Sequence, residues 1–311
     1  DSVGIRCADY KSNDLVVEDR DGLYSGFAEH LVDEEIIDRF YDGEEIFLDQ
    51  ETKKVNFNAN QYIMLVSSTN EKKTALCKYT GEMVPIKPVT RYKTGVWNVQ
   101  ARNKEQAFAL DMLMNPDIPI ITLAGSGKTL CAIAAGIEQT IGMYEGGGRK
   151  ECPYKKLIVS RPVQPLGKDI GFLPGSMEEK MIPWLAPIQD NLQFLMGNDR
   201  LMLEQYIEQG KIEIEALTYI RGRSISNAFI IIDEAQNLSV HELKTIITRV
   251  GEDSKIVLTG DIEQIDNMHI DEITNGLTYA VEKFKTHAIG GHITLRKGER
   301  SKVATLAAKI L

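Results

Sequence analysis

Strand-like apolar runs alternate with helix-like segments from about Trp97 onward, and this alternation constrains the fold more than any other feature of the sequence. The strand-like runs are IPIITL, KKLIVS, KIEIEAL, AFIIIDEA, KIVLTGD and GHITL. They are nearly continuous in Ile, Val and Leu, as expected for strands that are covered on both faces. The alternation predicts an α/β fold with a parallel sheet and helices on both of its faces.

Residues 20–95 have a different character, with five or so short strand-like runs, many turn residues and no predicted helix between the runs. This pattern predicts a small all-β, barrel-like domain. The net charge of the chain is −9, which argues against a strongly basic nucleic-acid surface but not against a local groove. The chain contains no run of about 18 apolar residues, so no membrane partner is expected. Its four cysteines have no CxxC spacing, which is typical of reduced thiols in a cytoplasmic protein.

A glycine-rich stretch follows the first of these strands and nearly matches a Walker A phosphate loop. Its residues are Gly125, Ser126, Gly127, Lys128 and Thr129. In such a loop the backbone amides and the start of the next helix face the phosphates, the lysine reaches phosphate oxygens, and the Ser/Thr hydroxyl binds Mg²⁺. A glycine turn that only caps a helix is the alternative interpretation of this stretch.

Two further strands end in polar residues that suit the same chemistry. Asp233 and Glu234 end the run AFIIIDEA, a Walker B arrangement in which the aspartate holds Mg²⁺ through water and the glutamate polarises the attacking water. Gln264 follows KIVLTGD and is placed to sense the γ-phosphate or to position water. An acidic helix start and a capped turn are the simpler alternatives. Open α/β sheets bind ligands at the carboxyl ends of their strands, which favours a nucleotide site.

The motifs LxGSGKT, VSRP, DEAQN and TGDxxQID, in this order, resemble those of superfamily 1 helicases. Longer stretches, among them SRPVQPLGKDIGFLPGSMEEKMIPW and IEALTYIRGRSISNAFIIIDEAQNL, resemble the PhoH family of ATPases. The opening VGIRCADYKSND resembles the last strand of a PIN nuclease domain. The resemblance implies three parts: a PIN tail in residues 1–19, a small β-rich linker domain in 20–95, and a P-loop NTPase (RecA-like) domain in 96–311.

The resemblance also implies ATP and Mg²⁺ as cofactors, and ATP hydrolysis coupled to RNA unwinding, with the PIN part cutting RNA. Gln106 matches the glutamine that reads adenine, and Arg300 matches a candidate arginine finger. The nucleotide-binding stretch extends to Leu130. Cations on loops are candidate RNA contacts: Arg161, Lys168, Arg221 and Arg223. A solvated surface position is the alternative for Gln106, Arg300 and these four cations.

Two classes of function fit these motifs. One is an ATP-driven enzyme that remodels single-stranded RNA, and the other is a nucleotide-gated RNA-binding module without motor activity. A kinase would need an acceptor motif, and none is visible. Because 96–311 accommodates a single ATPase core, we expect a homo-oligomeric ring, a hexamer, in which each site borders the neighbouring subunit.

The phosphate loop departs from the family pattern, which is roughly TLxGxAGSGKT. Here Leu123 runs directly into Ala124, so about three residues are lacking, and Thr122 stands where the first Walker A glycine belongs. Either the loop of this chain is short, or residues between Leu123 and Ala124 are missing from the sequence as written. The intact motifs on both sides favour the second interpretation, and we therefore expect extra residues at this point.

Overall fold

The computed structural model describes residues 23–51, 56–142, 144–145, 148–149, 151–162, 177–220, 222, 224–267 and 270–296. Within them lie a six-stranded sheet, a four-stranded sheet and a short hairpin. The elements in chain order are β1 (Phe27–Val32), α1 (Glu34–Tyr41), α2 (Leu48–Glu51), β2 (Gln61–Ser67), β3 (Thr74–Tyr79), β4 (Lys87–Pro88), α3 (Lys104–Met114), β5 (Ile120–Gly125), α4 (Lys128–Thr140), β6 (Tyr144–Glu145), β7 (Gly148–Arg149), β8 (Lys156–Arg161), α5 (Met177–Leu195), α6 (Arg200–Glu208), β9 (Ile212–Ala216), α7 (Leu217–Ile220), β10 (Ala228–Ile232), a 3-10 turn (Ala235–Asn237), α8 (Val240–Ile247), β11 (Lys255–Gly260), α9 (Gly276–Phe284) and β12 (Gly290–Leu295).

The larger sheet contains the six strands that the sequence predicts, in the spatial order β12, β5, β11, β10, β8, β9. Every neighbouring pair in it is parallel. The central strand β10 is buried along its whole length, because helices cover both of its faces. The predicted α/β class with a parallel sheet is therefore confirmed.

The two faces of this sheet have separate apolar cores. Leu123, Val159 and Ile133 of α4 belong to the core on one face, which also includes side chains of α3 and α5. Ile158 and Leu258 belong to the opposite core, which includes side chains of α8 and α9. Successive strand residues point to opposite faces, which explains why Ile158 and Val159 fall in different cores. Within the described ranges no helix combines the length and apolarity needed to cross a membrane.

The parallel arrangement brings the polar ends of the strands to one edge of the sheet. β5 ends at Gly125, whose register partner on β12 is Leu295. β10 ends one residue before Asp233, and the Asp233 backbone N–H donates to the Ser160 carbonyl oxygen of β8 at 2.8 Å. Asp261 directly follows β11. The polar residues that could take part in a reaction are therefore neighbours in space, although they lie far apart in the sequence.

The small N-terminal part is not the all-β, barrel-like domain that the sequence predicts. Its sheet is open, with the order β1, β2, β3, β4, and β1 pairs with β2 in parallel. A parallel pair needs a crossover connection, and α1 lies in this connection. The helix buries Ile36 and Ile37 and exposes Glu35 and Asp38. The segment around Phe47, one of the strand-like runs within residues 20–95, is not a strand and leads into α2.

The buried carboxylate of Asp111 on α3 joins the small sheet to the larger part. Its Oδ2 accepts hydrogen bonds from the Tyr62 hydroxyl at 2.6 Å and from Lys78 Nζ at 3.1 Å, and its Oδ1 accepts one from the Thr90 backbone N–H at 2.9 Å. The Tyr62 ring stacks on Phe108 of the same helix, with 4.7 Å between ring centroids. Burial and the negative Asp111 raise the pKa of Tyr62 well above its usual value. A buried charge that is fully hydrogen-bonded in this way fixes the relative position of its elements.

Candidate active site

The turn between β5 and α4 contains two residues, Ser126 and Gly127. Gly125 and Gly127 have φ values of 92° and 82°, which belong to the left-handed region that glycine adopts without strain. A Cβ on Gly125 would stand 2.3 Å from the carbonyl oxygen of Leu295, so a larger residue cannot replace it without displacing β12. Gly127 is the N-cap of α4. The first backbone N–H groups of this helix have no intrahelical acceptor and form an anion-binding end.

The structure is that of the sequence as written, in which Leu123 and Ala124 are joined, so the expectation of extra residues between them stays a prediction. Both residues lie inside β5 and pair with Thr259 and Gly260 of β11. Residues that would form the loop in the family pattern are thus part of the strand, and the chain turns into α4 after two residues. The Ser126 backbone N–H, which would face phosphate in a longer loop, donates instead to the Leu295 carbonyl oxygen at 3.2 Å. In the sequence as written, the phosphate turn is therefore short.

Lys128 is the first residue of α4 and is only 9% exposed. Within the described ranges, its ammonium group has no hydrogen bond and no ion pair. The stem of the side chain is largely buried, whereas its Nζ is not among the described buried atoms that lack a partner, so the ammonium is accessible to a phosphate oxygen at the start of α4. The position agrees with the sequence prediction that Lys128 meets phosphate oxygens.

Thr129 follows on α4 and is linked to the end of β10. Its hydroxyl donates to Asp233 Oδ1 at 2.8 Å, and the Thr259 hydroxyl donates to the same oxygen at 2.6 Å. Asp233 is 3% exposed. The Thr129 and Asp233 oxygens are ligands of the type that Mg²⁺ prefers, and this cation usually retains waters and substrate phosphates in its shell. The described residues contain no group of three or more His, Cys, Asp or Glu that would hold a metal alone. The site therefore fits a Mg²⁺ that is shared with phosphate.

Glu234 has a backbone conformation that is rare for a residue with a side chain, at φ 54° and ψ 40°. Its Oε2 accepts a hydrogen bond from Gln236 Nε2 at 2.6 Å, and its Oε1 lies 3.6 Å from Arg161 Nη2 at the end of β8. The carboxylate is partly exposed. It is held in one orientation at the polar edge of the sheet, where a base that orients water is needed.

Gln236 is a site residue that the sequence reasoning missed. Besides Glu234, its Nε2 donates to the Gln264 carbonyl oxygen at 2.8 Å, and its Oε1 accepts from the Asp261 backbone N–H at 3.0 Å. The side chain is fully buried and connects the end of β10 to the segment after β11. The sequence feature that could have identified it is a polar glutamine only two positions after Glu234. Gln264 itself lies at the predicted edge through its backbone, while its side chain is exposed.

Gln106 lies in the first turn of α3, close to the phosphate turn. A Cβ placed on Gly127 would stand 3.5 Å from Gln106 Nε2. The amide oxygen of Gln106 accepts from the Arg102 backbone N–H at 2.9 Å, and its own backbone N–H donates to the Asn103 side chain at 3.0 Å. The structure thus brings Gln106 next to the turn, as expected for a residue that reads a base beside bound phosphates.

Four of the predicted residues lie outside the described residues: Lys168, Arg221, Arg223 and Arg300. Arg161 lies beside Glu234, and its predicted contact with RNA stays a prediction. The structure brings together Lys128, Thr129, Asp233 and Glu234 with the backbone stretch from Gly125 to Leu130.

The sheet is parallel, and a glycine turn after β5 leads to a helix that starts with a lysine. An aspartate follows β10, which β11 separates from β5 in the sheet. This arrangement defines a P-loop NTPase. Residues 98–310 match the family described as PhoH-like protein. The chain belongs to this family, whose members are P-loop ATPases.

Relatives support the assignment along the whole chain. The chain is 44% identical over 320 residues to Protein PhoH2 of Bacillus subtilis (strain 168), covering 100% of the chain and 69% of that relative. It is 37% identical over 237 residues to Protein PhoH2 of Thermobispora bispora, covering 74% of the chain and 52% of that relative. It is also 32% identical over 316 residues to Protein PhoH2 of Mycolicibacterium smegmatis, covering 100% of the chain and 67% of that relative. The chain thus spans between about half and about 70% of the length of these relatives.

Proposed function

We propose that this protein is a Mg²⁺-dependent ATPase that remodels single-stranded RNA, in the manner of a helicase. The observation that carries the ATPase assignment is the junction of Thr129 and Thr259 on one oxygen of Asp233, beside a buried Lys128 without a partner among the described residues. A strand-end carboxylate, a helix-start hydroxyl and an unpaired cation form a phosphate and metal site.

Each residue of this site has a separate task in the proposal. The Lys128 ammonium and the first N–H groups of α4 bind the phosphate oxygens of ATP. Thr129 and Asp233 hold Mg²⁺, which screens the phosphate charge when it is bound. Glu234 orients a water molecule and accepts its proton, and Gln236 and Arg161 keep the Glu234 carboxylate in position. Gln106 pairs with the adenine edge through its amide.

The RNA part of the proposal rests on the helicase-like order of the motifs, GSGKT, DEAQN and TGDIEQID. In such enzymes hydrolysis at the sheet edge is coupled to movement along a strand. Residues 1–19, which resemble the end of a PIN nuclease domain, suggest that RNA remodelling is coupled to RNA cleavage in the complete protein. They lie outside the described residues.

We extend the proposal to assembly. Residues 96–311 hold one ATPase core, and a single core has no second domain to close over its nucleotide. A homo-oligomeric ring, a hexamer, would supply that closure from the neighbouring subunit and would create a central channel for one RNA strand. Arg300 would then act on the nucleotide of the neighbour.

One observation favours a second function, that of a nucleotide-gated RNA-binding module. The two-residue turn commits the Ser126 backbone N–H to Leu295, so fewer amides remain for phosphate. A site with fewer amides that bind the transferred phosphate would bind nucleotide without hydrolysing it efficiently.

Steady-state ATP hydrolysis with and without single-stranded RNA distinguishes the two functions. If the protein is an RNA-remodelling ATPase, its ATP turnover should depend on Mg²⁺, be stimulated by RNA and be abolished by Lys128→Ala. The module predicts negligible turnover in both conditions, together with an RNA affinity that changes when a non-hydrolysable ATP analogue is added. Single-stranded DNA, measured in parallel, tests the preference for RNA. Absence of nucleotide binding at any Mg²⁺ concentration would contradict both functions.

A further inference from the structure

A cavity of about 540 Å³ opens between α3 and the segment that precedes it. Its walls include residues 90–93, residues 100–104 and one face of α3. Four lining residues are basic and none is acidic: Arg91, Lys93, Arg102 and Lys104. This is unusual in a chain whose net charge is −9. We refer to it as the basic cavity.

The four cations are not equivalent. Lys104 Nζ is 2.9 Å from Glu29 Oε1 and 4.3 Å from the centroid of the Phe27 ring, so its charge is already compensated. Arg91 and Lys93 are exposed, and neither side chain has an ion pair or a hydrogen bond within the described part of the chain. Two adjacent cations therefore face the cavity with their charge available to a ligand.

The remaining walls suit a polynucleotide better than a free phosphate ion. Tyr92, between the two cations, contributes a partly buried aromatic ring. Burial and the negative Asp111 raise the pKa of its hydroxyl to about 12, so the group stays neutral at physiological pH. The N-terminal end of α3, capped by Asn103, adds partial positive charge. Cations beside an aromatic ring are the combination that single-stranded nucleic acids use for phosphate contact and base stacking.

The basic cavity adjoins the nucleotide site but is distinct from it. Arg102 and Asn103 line the cavity, and these two residues also bind Gln106 through hydrogen bonds at 2.9 Å and 3.0 Å. Gln106 itself is not among the lining residues, and its Nε2 lies on the side of Gly127. A ligand in the cavity would therefore contact the segment that positions Gln106 without occupying the phosphate turn.

We propose that the basic cavity binds the phosphate backbone of single-stranded RNA, with Arg91 and Lys93 at the phosphates and Tyr92 against a base. The choice of RNA as the polymer rests on the proposed function, whereas the phosphate chemistry rests on the cavity itself. The site couples RNA to the nucleotide through Arg102 and Asn103, which line the cavity and form hydrogen bonds with Gln106.

The test is a salt titration of RNA binding by the double variant Arg91→Ala/Lys93→Ala. Anisotropy of a labelled oligouridine is measured without nucleotide, so that binding is independent of hydrolysis. Each phosphate contact to a single strand contributes about 0.7 to the slope of log K against log salt. The double variant should therefore lower the RNA affinity and make this slope shallower by about 1.4.

The matched control is Lys72→Ala/Arg249→Ala, which removes one lysine and one arginine that are exposed and lie outside the cavity. It should keep the wild-type slope. An unchanged slope in the cavity variant, an equal change in the control, or absence of RNA binding by the wild type would overturn the proposal. Circular dichroism of both variants verifies that they are folded.

ADP and pyrophosphate titrations by calorimetry identify the source of the phosphate. If the cavity variant binds ADP and pyrophosphate like the wild type but loses RNA affinity, the ligand of the cavity is RNA. If it loses ADP or pyrophosphate affinity while RNA binding is unchanged, the phosphate belongs to a free nucleotide, and the RNA assignment is overturned. If the cavity variant changes the salt dependence of RNA binding but RNA does not stimulate ATP hydrolysis by the wild type, the cavity assignment is supported and only the proposed function is contradicted.

Discussion

The Ser126 backbone N–H donates a hydrogen bond to the Leu295 carbonyl oxygen at 3.2 Å, which fastens the phosphate turn to the edge strand β12. The preceding residue, Gly125, is the register partner of Leu295 in the sheet. The turn is therefore an extension of the β5–β12 pairing rather than a separate loop. This relationship determines how many backbone amides remain for a bound phosphate.

Lengthening the turn should strengthen nucleotide binding. A Ser-Gly-Ser insertion after Leu123 would release Ser126 from Leu295 and return its N–H to the phosphates. A hydrogen bond to a charged group is worth about 1.5–3 kcal/mol, so the affinity for ADP should rise by about tenfold or more, measured by calorimetry. The same insertion after Asn70, in the turn between β2 and β3, is the control and should have no effect on ADP. An equal or lower ADP affinity after the Leu123 insertion would show that the short turn is sufficient.

Removal of the Lys128 cation should abolish ATP hydrolysis and weaken ATP binding. Lys128→Ala deletes the ammonium of a largely buried side chain at the start of α4, while the helix amides stay. We expect affinity for a non-hydrolysable ATP analogue to fall by about 10- to 100-fold, the worth of a charge-assisted hydrogen bond, with residual ADP binding. Lys72→Ala, on the exposed β2–β3 turn, is the control. Near-normal ATP turnover in Lys128→Ala would contradict the assignment of a phosphate site at the start of α4.

Glu234→Gln should separate nucleotide binding from hydrolysis. Glutamine has the same shape as glutamate, but it cannot accept the proton of the attacking water. Loss of a positioned base costs on the order of a hundredfold or more in rate, so turnover should fall by that factor while Mg²⁺-dependent ATP binding persists. Asp233→Asn is the comparison, because it should weaken the Mg²⁺ dependence itself. The opposite pattern in the two variants would reverse the roles of these residues.

Lys255 should make stability depend on pH above neutrality. Its ammonium is fully buried and donates to the carbonyl oxygens of Leu113 at 2.8 Å and Asn115 at 2.6 Å. Burial lowers its pKa from 10.5 to about 7, with Asp117 acting in the opposite direction. Between these two values the unfolded chain binds more protons than the folded one, so the free energy of unfolding rises with pH.

Lys255→Met removes this titration and provides the reference. Urea unfolding of both proteins at pH 7, 8 and 9 should show the wild type gaining stability relative to the variant, by up to about 1.4 kcal/mol per pH unit. Other groups that titrate in this range, such as Cys77 and Cys131, contribute equally to both proteins and cancel in the difference. Parallel pH dependences would mean that Lys255 stays charged in the folded state.

Mixing two inactive variants tests the proposed ring. Arg300→Ala should leave ATP binding largely intact and lower turnover by roughly a thousandfold or more, as for an arginine finger. If Arg300 acts on the neighbouring subunit, mixtures of Lys128→Ala and Arg300→Ala should recover part of the activity, measured as ATP hydrolysis across mixing ratios. Subunit exchange without recovery at any ratio would contradict action across the interface. A fully active monomer would contradict the ring.

The sequence alone determined the α/β class and the location of the site. The apolar runs before Gly125 and Asp233 are short, rich in Ile and bounded by turn residues, which is typical of buried strands, and parallel strands bring their carboxyl ends to one edge. The meeting of Thr129 with Asp233, 104 positions apart, follows from this geometry. The order of strands in the sheet did not follow, because apolar runs specify burial but not neighbours.

Only the tertiary structure decided the features that depend on contacts between distant segments. The helix α1 escaped prediction because its eight residues make only about two turns, too few to distinguish a helical period from short strands, and because only the parallel pairing of β1 with β2 requires a crossover there. The pairing of β12 alongside β5 through Gly125, which fixes where the phosphate turn begins, is likewise a contact between distant segments. Gln236 and the basic cavity likewise combine residues from separate segments. Local preferences act over a few residues, whereas hydrogen-bonded contacts between distant segments form only when the whole chain has folded.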